Sequence, residues 1–374
     1  MLFFEIIGQD EIKQRLIQTV KKGRIPHAQL FCGISGVGKL PLALAYAQYI
    51  CCTDRQSDDS CGKCPSCVKF AKLIHPDLHF VFPIVKNEAK KLTVCNDFLP
   101  EFRQQVLENS YLTEDDWITS IAEGKQGQIY TNEGDEIIRK LSFKAYESEY
   151  KVMIIWQPEK MHESCANRVL KIIEEPSEKT VFILVSNQPE EIIATIQSRL
   201  QRINIPPIAD SCLYERLSER GVVGDDADFF VRSAQGSWSA LRGLLEAHET
   251  QQEYFRLFVI MMRLAWTVDV KEIRDLIETL ASFGREGQKS FLEEAQRQLR
   301  ENFILRLGHW QLNFLTKEQE AFAQNFSKVI NEANIIPIME EMQLAAAQIE
   351  QNANAKIVFF DMILVLNRLL KTKK

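Results

Sequence analysis

Gly33-Ile34-Ser35-Gly36-Val37-Gly38-Lys39-Leu40 is the stretch on which the reading of this chain turns. It follows the apolar run Gln29-Leu30-Phe31-Cys32, a short buried strand by composition, and it opens a helical stretch from Leu42 to Ile50. Strand, glycine loop and helix N-terminus are the context a phosphate-binding loop requires. The glycines let backbone N–H groups converge on phosphate, and the terminal lysine reaches the outer phosphates. Gly33, Gly36, Gly38 and Lys39 are therefore the candidate nucleotide-binding residues. The position after the lysine should carry a hydroxyl for magnesium, and here it is Leu40, which cannot ligate a hard cation that wants oxygen. The loop can still hold phosphate, whereas hydrolysis is compromised; a glycine turn with no ligand is the competing reading.

A second position in the same chemistry is altered. Lys151-Val152-Met153-Ile154-Ile155 is a near-continuous apolar strand, as expected in a parallel sheet covered on both faces. In phosphate-loop ATPases the end of such a strand supplies an Asp that organises Mg²⁺ and a Glu that handles the attacking water. Here those positions read Trp156-Gln157. Neither can act as an anionic ligand or as a base, so ATP hydrolysis is not expected and nucleotide binding is left open.

At 374 residues the chain is long enough for two or three domains. It is 45% hydrophobic and 26% charged, ordinary for a soluble globular protein. A net charge of -6 argues against a free-standing nucleic-acid binder, so any DNA contact should be local or borrowed from partners. No apolar run approaches the length of a membrane span, and no export signal opens the chain, so a cytoplasmic protein is expected. Its nine cysteines then read as metal ligands plus reduced thiols. Cys52, followed by Cys61-Gly62-Lys63-Cys64-Pro65-Ser66-Cys67, places four thiols in one short excursion. Two overlapping C-x2-C steps fold back tightly enough for thiolates to meet one ion, and Cys52 completes a tetrahedron. The helix period points the neighbouring Cys51 elsewhere. Structural zinc is favoured over iron–sulfur because nothing else suggests redox work. A zinc ribbon that reads DNA is the sharper alternative, weakened by flanks with only Lys63, Lys69 and Lys72 and no aromatic–basic alternation.

Along the chain, residues 5–23 carry a helical pattern with Ile12, Leu16 and Val20 on one face. His75 and His79 could be drawn into a second metal site, but Pro76 between them makes a turn the better reading. From about 86 to 128 the pattern is irregular and charged, with Thr113 as an N-cap ahead of Glu114, Asp115 and Asp116. A further buried strand runs Thr180–Val185, and Pro206-Pro207 marks the end of the first domain. Strands alternating with helices across 1–207 predict an α/β doubly wound sheet. Residues 208–245 read as a small helical module, and 250–374 as all helical. Phe255, Phe258, Met261, Met262 and Leu264 supply one apolar set there; Phe303, Leu305, Leu307, Trp310 and Phe314 supply another.

Several stretches together resemble one family, the bacterial clamp-loader subunits of DNA polymerase III, which are AAA+ proteins. Gly23-Arg24-Ile25-Pro26-His27-Ala28 before the loop, the Cys52/Cys61/Cys64/Cys67 quartet after its helix, and His75-Pro76-Asp77 are similar to that family. So is Asn167-Arg168-Val169-Leu170-Lys171-Ile172-Ile173-Glu174-Glu175-Pro176. Thr195-Ile196-Gln197-Ser198-Arg199 matches its Ser-Arg-Cys box, with Leu200 in place of the cysteine. The likeness covers nearly all of 1–245, with general helical likeness beyond. It implies an α/β AAA+ fold, a phosphate-loop-type parallel sheet over 1–207 carrying the zinc module (52–67) and an insertion (about 86–128). A lid (208–245) and an all-α collar domain (250–374) would follow. Because the loop hydroxyl and the Asp-Glu pair of the motor (gamma/tau) type are missing, the resemblance implies the stationary type. Ser237-Trp238-Ser239 also lacks the arginine with which motors sense nucleotide.

What then follows from the resemblance is an arginine finger, Arg199 beside Ser198, projecting into the ATP site of a neighbouring motor subunit. The competing reading of Arg199 is a helix-end arginine paired with a nearby acid. Expected partners are the motor (gamma/tau) and delta subunits in a pentamer, the sliding clamp indirectly, and primer-template DNA through the complex, with no membrane. The rivals are an active ATPase motor and a zinc-ribbon DNA-binding module. The insertion over 86–128 is longer than the family's usual connection and receives no role from the resemblance.

Overall fold

The apolar runs read as strands become strands, a largely polar one at Gln201–Asn204 that was not expected joins them, and all five strands lie parallel. They are β1 (Ala28–Cys32), β2 (Leu78–Val81), β3 (Lys151–Trp156), β4 (Thr180–Ser186) and β5 (Gln201–Asn204), in the sheet order β2-β3-β4-β1-β5. The computed structural model describes all residues except 88–90, 123, 309–316 and 373–374. Register pairs Leu30 with Leu184 and Ile154 with Ile183. The three inner strands are buried throughout, and edge strand β5 buries only Ile203. That is the signature of a parallel sheet covered on both faces, and with the glycine loop after β1 it makes an α/β domain of the phosphate-loop type.

The helix behind the loop, Lys39–Cys51, is buried along its whole length, as a helix apolar all round must be. The first helix is shorter than its pattern, Asp10–Lys21, because Gln9 sits in the left-handed region and starts it late. The chain divides into two compact units, Met1–Leu244 and Leu245–Lys374. Residues 208–244 therefore fall with the sheet, as helices Asp210–Glu219 and Asp225–Ala234 and the start of Trp238–Thr267.

The stretch that looked irregular is built. A 3-10 turn (Cys95–Phe98) runs into helix Leu99–Glu108, followed by helix Glu114–Ile121. Thr113 caps the last of these by accepting from the Asp116 amide at 3.1 Å. Ile84 and Gln128 exchange both backbone hydrogen bonds, so the excursion leaves and returns at one place. Its core is aromatic. Phe102 stacks on Phe82 with centroids 3.9 Å apart, and Trp117 stands edge-on to both. Trp117 Nε1 donates to the Pro83 carbonyl at 2.7 Å, which satisfies the buried indole.

The second unit is helical, with Val270–Ser282, Gly284–Arg306, Lys317–Phe326, Ile335–Glu350 and Ala355–Leu370 packed around Phe258, Phe291, Ile338, Met342 and Phe359. Phe255, Phe258, Met261, Met262 and Leu264 are all in this core. The second apolar set is corrected. Among the described residues of that set, Phe303 packs on the core, Leu305 is half-buried and Leu307 is exposed; Trp310 and Phe314 lie outside the described residues, as does the chain's last Lys373-Lys374. The positions that helix Gly284–Arg306 buries are Phe291, Leu292, Ala295 and Leu299. Among the described residues no helix is long and apolar enough to cross a membrane.

Phe102→Ala should cost about 3–5 kcal/mol, the range for deleting a fully buried ring. Urea unfolding followed by tryptophan emission measures it, and a loss below about 1 kcal/mol would mean that the insertion is not part of the cooperative fold.

Candidate functional site

The glycine loop has the backbone its sequence requires. Gly36 and Gly38 sit at φ +77° and +93°, left-handed values that a side chain would resist. Helix Lys39–Cys51 begins directly after Gly38. Lys39, however, points inward. Its ammonium donates to the carbonyls of Gly33, at 2.7 Å, and of Ile34, and the residue is only 5% exposed. Burial pushes its pKa from 10.5 to about 8, opposed in part by Glu159 and Cys32.

The space a phosphate would need is filled from two directions. Trp238 N–H donates to the Gly36 carbonyl at 3.0 Å, and Ser237 and Ser239 lie where any Cβ on Gly36 would stand. From the insertion, the Tyr111 ring lies 3.3 Å from where a Gly38 Cβ would stand. Its hydroxyl accepts from the Ile7 amide at 2.9 Å, and burial raises its pKa to about 12. Ser239 Oγ then donates to the Tyr111 carbonyl at 2.7 Å, and Arg242 pairs with Asp116 at 3.0 Å. The insertion and the start of helix Trp238–Thr267 are thus tied to each other across the loop. What remains between Ser35, Lys39, Tyr111, Trp156 and Asn187 is a cavity of about 20 Å³. A water needs roughly 10–15 Å³ on this measure, and ligand sites run to about 300–1,000 Å³.

At the end of β3, Trp156 is buried against Phe102. Gln157 is buried in the left-handed region, and its Nε2 finds no partner among the described residues. Glu159, whose charge acts on Lys39, is committed to backbone: its Oε1 accepts from the amides of Asn187 and Gln188 at 2.9 and 3.3 Å. Leu40 is buried and contributes apolar surface alone.

Arg199 follows the short helix Ala194–Gln197. Its Nε donates to Glu174 at 3.0 Å, and its Nη1 donates to the Thr195 carbonyl at 2.7 Å and to Ser198 Oγ at 3.4 Å. Within the chain it is the acid-paired arginine of the competing reading, with about a third of its side chain exposed.

The four thiols of Cys52, Cys61, Cys64 and Cys67 converge, their sulfurs all within 4.8 Å of one another. The pairs Cys52–Cys61, Cys52–Cys64 and Cys61–Cys67 stand 3.6, 4.0 and 3.9 Å apart. An ion bound tetrahedrally at about 2.3 Å from each sulfur requires edges of about 3.8 Å. The amides of Cys61, Lys63, Cys64 and Cys67 point at these sulfurs at 3.2–3.4 Å, the donors a cluster of thiolates needs. The cluster can therefore hold a metal ion. Cys51 turns away to the Tyr150 carbonyl, and no second such ligand group forms among the described residues. His75 spends both ring nitrogens locally, on the Asp77 amide and Ser148 Oγ. Tyr111 is the site residue that sequence reasoning missed. It carries no spacing signal, since its partners Ile7 and Ser239 lie 104 and 128 residues away.

A family model described as DNA polymerase III, delta subunit, matches residues 8–209. Among curated proteins, the chain is 28% identical over 291 residues to DNA polymerase III subunit gamma/tau of Mycobacterium tuberculosis, covering 75% of this chain and 43% of that protein. It is 28% identical over 214 residues to DNA polymerase III subunit delta' of Bacillus subtilis, covering 57% and 52%. Against the Escherichia coli delta' subunit the figures are 24% over 241 residues, covering 64% and 60%. The chain thus spans about half the length of the curated relatives it matches.

Lys39 gives a measurable handle on the closed loop. Its folded pKa is depressed, so between pH 8 and 10.5 the unfolded chain binds the extra proton and stability rises with pH across that window. Lys39→Met should remove that rise and gain stability at pH 7, by up to about 3 kcal/mol from the size of the shift. Denaturant midpoints at pH 7 and 10 check this; a variant less stable than wild type at pH 7 would show that the ammonium is satisfied where it sits.

Proposed function

The chain belongs to the DNA polymerase III delta-subunit family, as a subunit of the delta-prime kind, and from that premise we propose that it serves the clamp loader without hydrolysing ATP. It completes the ATP site of a neighbouring motor subunit by supplying Arg199 in trans. The observation that carries the reading is the 20 Å³ cavity where a triphosphate would have to lie, walled by Tyr111 and Trp156, with Ser237 and Ser239 pressed against Gly36 beside it. Leu40 and Trp156-Gln157 support it chemically, since magnesium and the attacking water would have no ligand and no base there.

Arg199 suits the other half of the role. Its pair with Glu174 is solvent-facing, with Arg199 partly and Glu174 largely exposed, and such pairs are worth about 0–1 kcal/mol, so exchanging the carboxylate for a neighbour's phosphate costs little. A guanidinium positioned this way neutralises charge on the transferring phosphoryl group, an effect of roughly 10³–10⁵ in rate. Ser198, which accepts from Nη1, and the Thr195 carbonyl hold the side chain at the helix end. In the assembly, the gamma/tau motor and delta subunits are the partners, and the 250–374 helices form one fifth of a pentameric collar, with 208–245 as the lid. The complex places the sliding clamp on primed DNA in the cytoplasm. Zinc is the ion proposed for Cys52, Cys61, Cys64 and Cys67: four thiolates leave no open position, which makes it structural.

In a complex reconstituted with motor and delta subunits, Arg199→Ala should leave assembly intact and depress DNA-stimulated ATPase at least tenfold. Wild-type turnover from the variant complex would remove the trans role. For the metal, elemental analysis should find one zinc per chain. Cys61→Ser/Cys64→Ser should lose it and melt at lower temperature; a metal-free wild type as stable as the loaded one would contradict the assignment.

A further inference from the structure

His75-Pro76-Asp77 serves neither the closed loop nor the thiol cluster, yet it is among the most deeply built parts of the first unit. Asp77 is 2% exposed and accepts three backbone N–H groups: Tyr146 at 2.6 Å, and Glu147 and Ser148 at 2.8 Å each. Ser148 Oγ also meets His75 Nε2 at 3.2 Å. From the other side, the buried Lys151 donates to the carbonyls of Leu141, at 2.6 Å, and of Phe143. A buried carboxylate and a buried ammonium thus hold residues 141–148 from beneath. Burying such groups is costly unless their hydrogen bonds are met, and here they are spent on fixing one surface loop.

The outer side of that loop is unlike the rest of an acidic chain. Phe143 and Tyr146 stand 64% and 81% exposed, three residues apart, flanked by Arg139, Lys140 and Lys144. Together they border a concavity of about 550 Å³. Lys140 and Lys144 enter no ion pair among the described residues, and Arg139 pairs only with Glu136 on its own helix. Among the described residues, Asp77 is the sole acidic group lining the concavity, its oxygens already taken by the loop amides, and Glu147 beside Tyr146 is paired with Lys69. Large exposed rings set among cations, two of them outside any ion pair, on a pre-fixed backbone form a stacking platform with an electrostatic rim.

We infer that this face, at the strand-start end of β2 and β3, binds single-stranded nucleic acid. Bases stack on Phe143 and Tyr146, and phosphates meet Arg139, Lys140 and Lys144. The exposed rings favour this over an acidic polypeptide, which would use the cations and leave the flat aromatic surfaces idle. The inference is independent of the role given to Arg199, because it concerns the free chain.

The test is fluorescence anisotropy of a labelled oligothymidylate titrated with the full chain at low salt. Saturable binding is expected, with a slope of log affinity against log salt near −2, as for about three phosphate contacts on a single strand. Lys140→Glu/Lys144→Glu should weaken binding at least tenfold. Tyr146→Ala should weaken it at least fivefold, while Tyr146→Phe retains it. Lys144 and Tyr146 are exposed and Lys140 is half-buried, and unchanged melting of the variants separates binding from folding. Absence of saturable binding by wild type, or variants that bind as wild type does, overturns the proposal. So does displacement of the oligonucleotide by polyglutamate with Tyr146→Ala unaffected, which would reassign the face to acidic polypeptides.

Discussion

Tyr111 and the helix start at Ser237-Trp238-Ser239 press on the glycine loop, and the character of the first unit follows from that contact. A phosphate loop works by leaving its N–H groups and its lysine unspent until a ligand arrives. Here the loop's own carbonyls take up Lys39, and Gly36 accepts from Trp238. Admitting a nucleotide would mean exposing Tyr111 and parting it from Ser239 and Ile7. Burial of an aromatic side chain is worth about 1.5–3 kcal/mol, so reopening has to be driven by more than one lost hydrogen bond. The insertion that supplies Tyr111 is held by Phe102 and Trp117 on Phe82, which makes the closure a property of the core and not of a mobile flap.

The proposed division of labour is then a contrast of environments. Lys39 is buried and desolvated, committed to carbonyls, and unavailable to solvent. Arg199 lies at the other extreme, in an exposed pair with Glu174 that another anion can replace. A positive charge kept loosely at a subunit's edge is useful to a neighbour; one sealed behind its own tyrosine is not. The thiol cluster is a third case, with sulfurs preset at tetrahedral spacing by backbone amides and the helix Pro65–Ala71.

Much of this was legible in the sequence because it is local. Continuous apolar runs marked the inner strands but not the polar edge strand Gln201–Asn204, the C-x2-C steps marked the converging thiols, and Trp156-Gln157 stands at the end of its strand where the acids are missing. What was not legible is long-range. Leu99–Glu108 carries its stripe as Phe98, Phe102 and Val106, three apolar positions spaced by four, masked by the charged residues between them. The docking of Tyr111 depends on partners far away in sequence, which no periodicity records. Leu307 shows the opposite failure: an apolar residue at helical spacing that the fold leaves in solvent.

The most direct measurement of the central claim is isothermal titration of Mg-ATP into the full chain, before any partner is added. A sealed phosphate loop predicts no saturable heat at any accessible nucleotide concentration. One-site binding abolished by Lys39→Ala would mean that the loop opens to nucleotide, and the account of a closed site would fail.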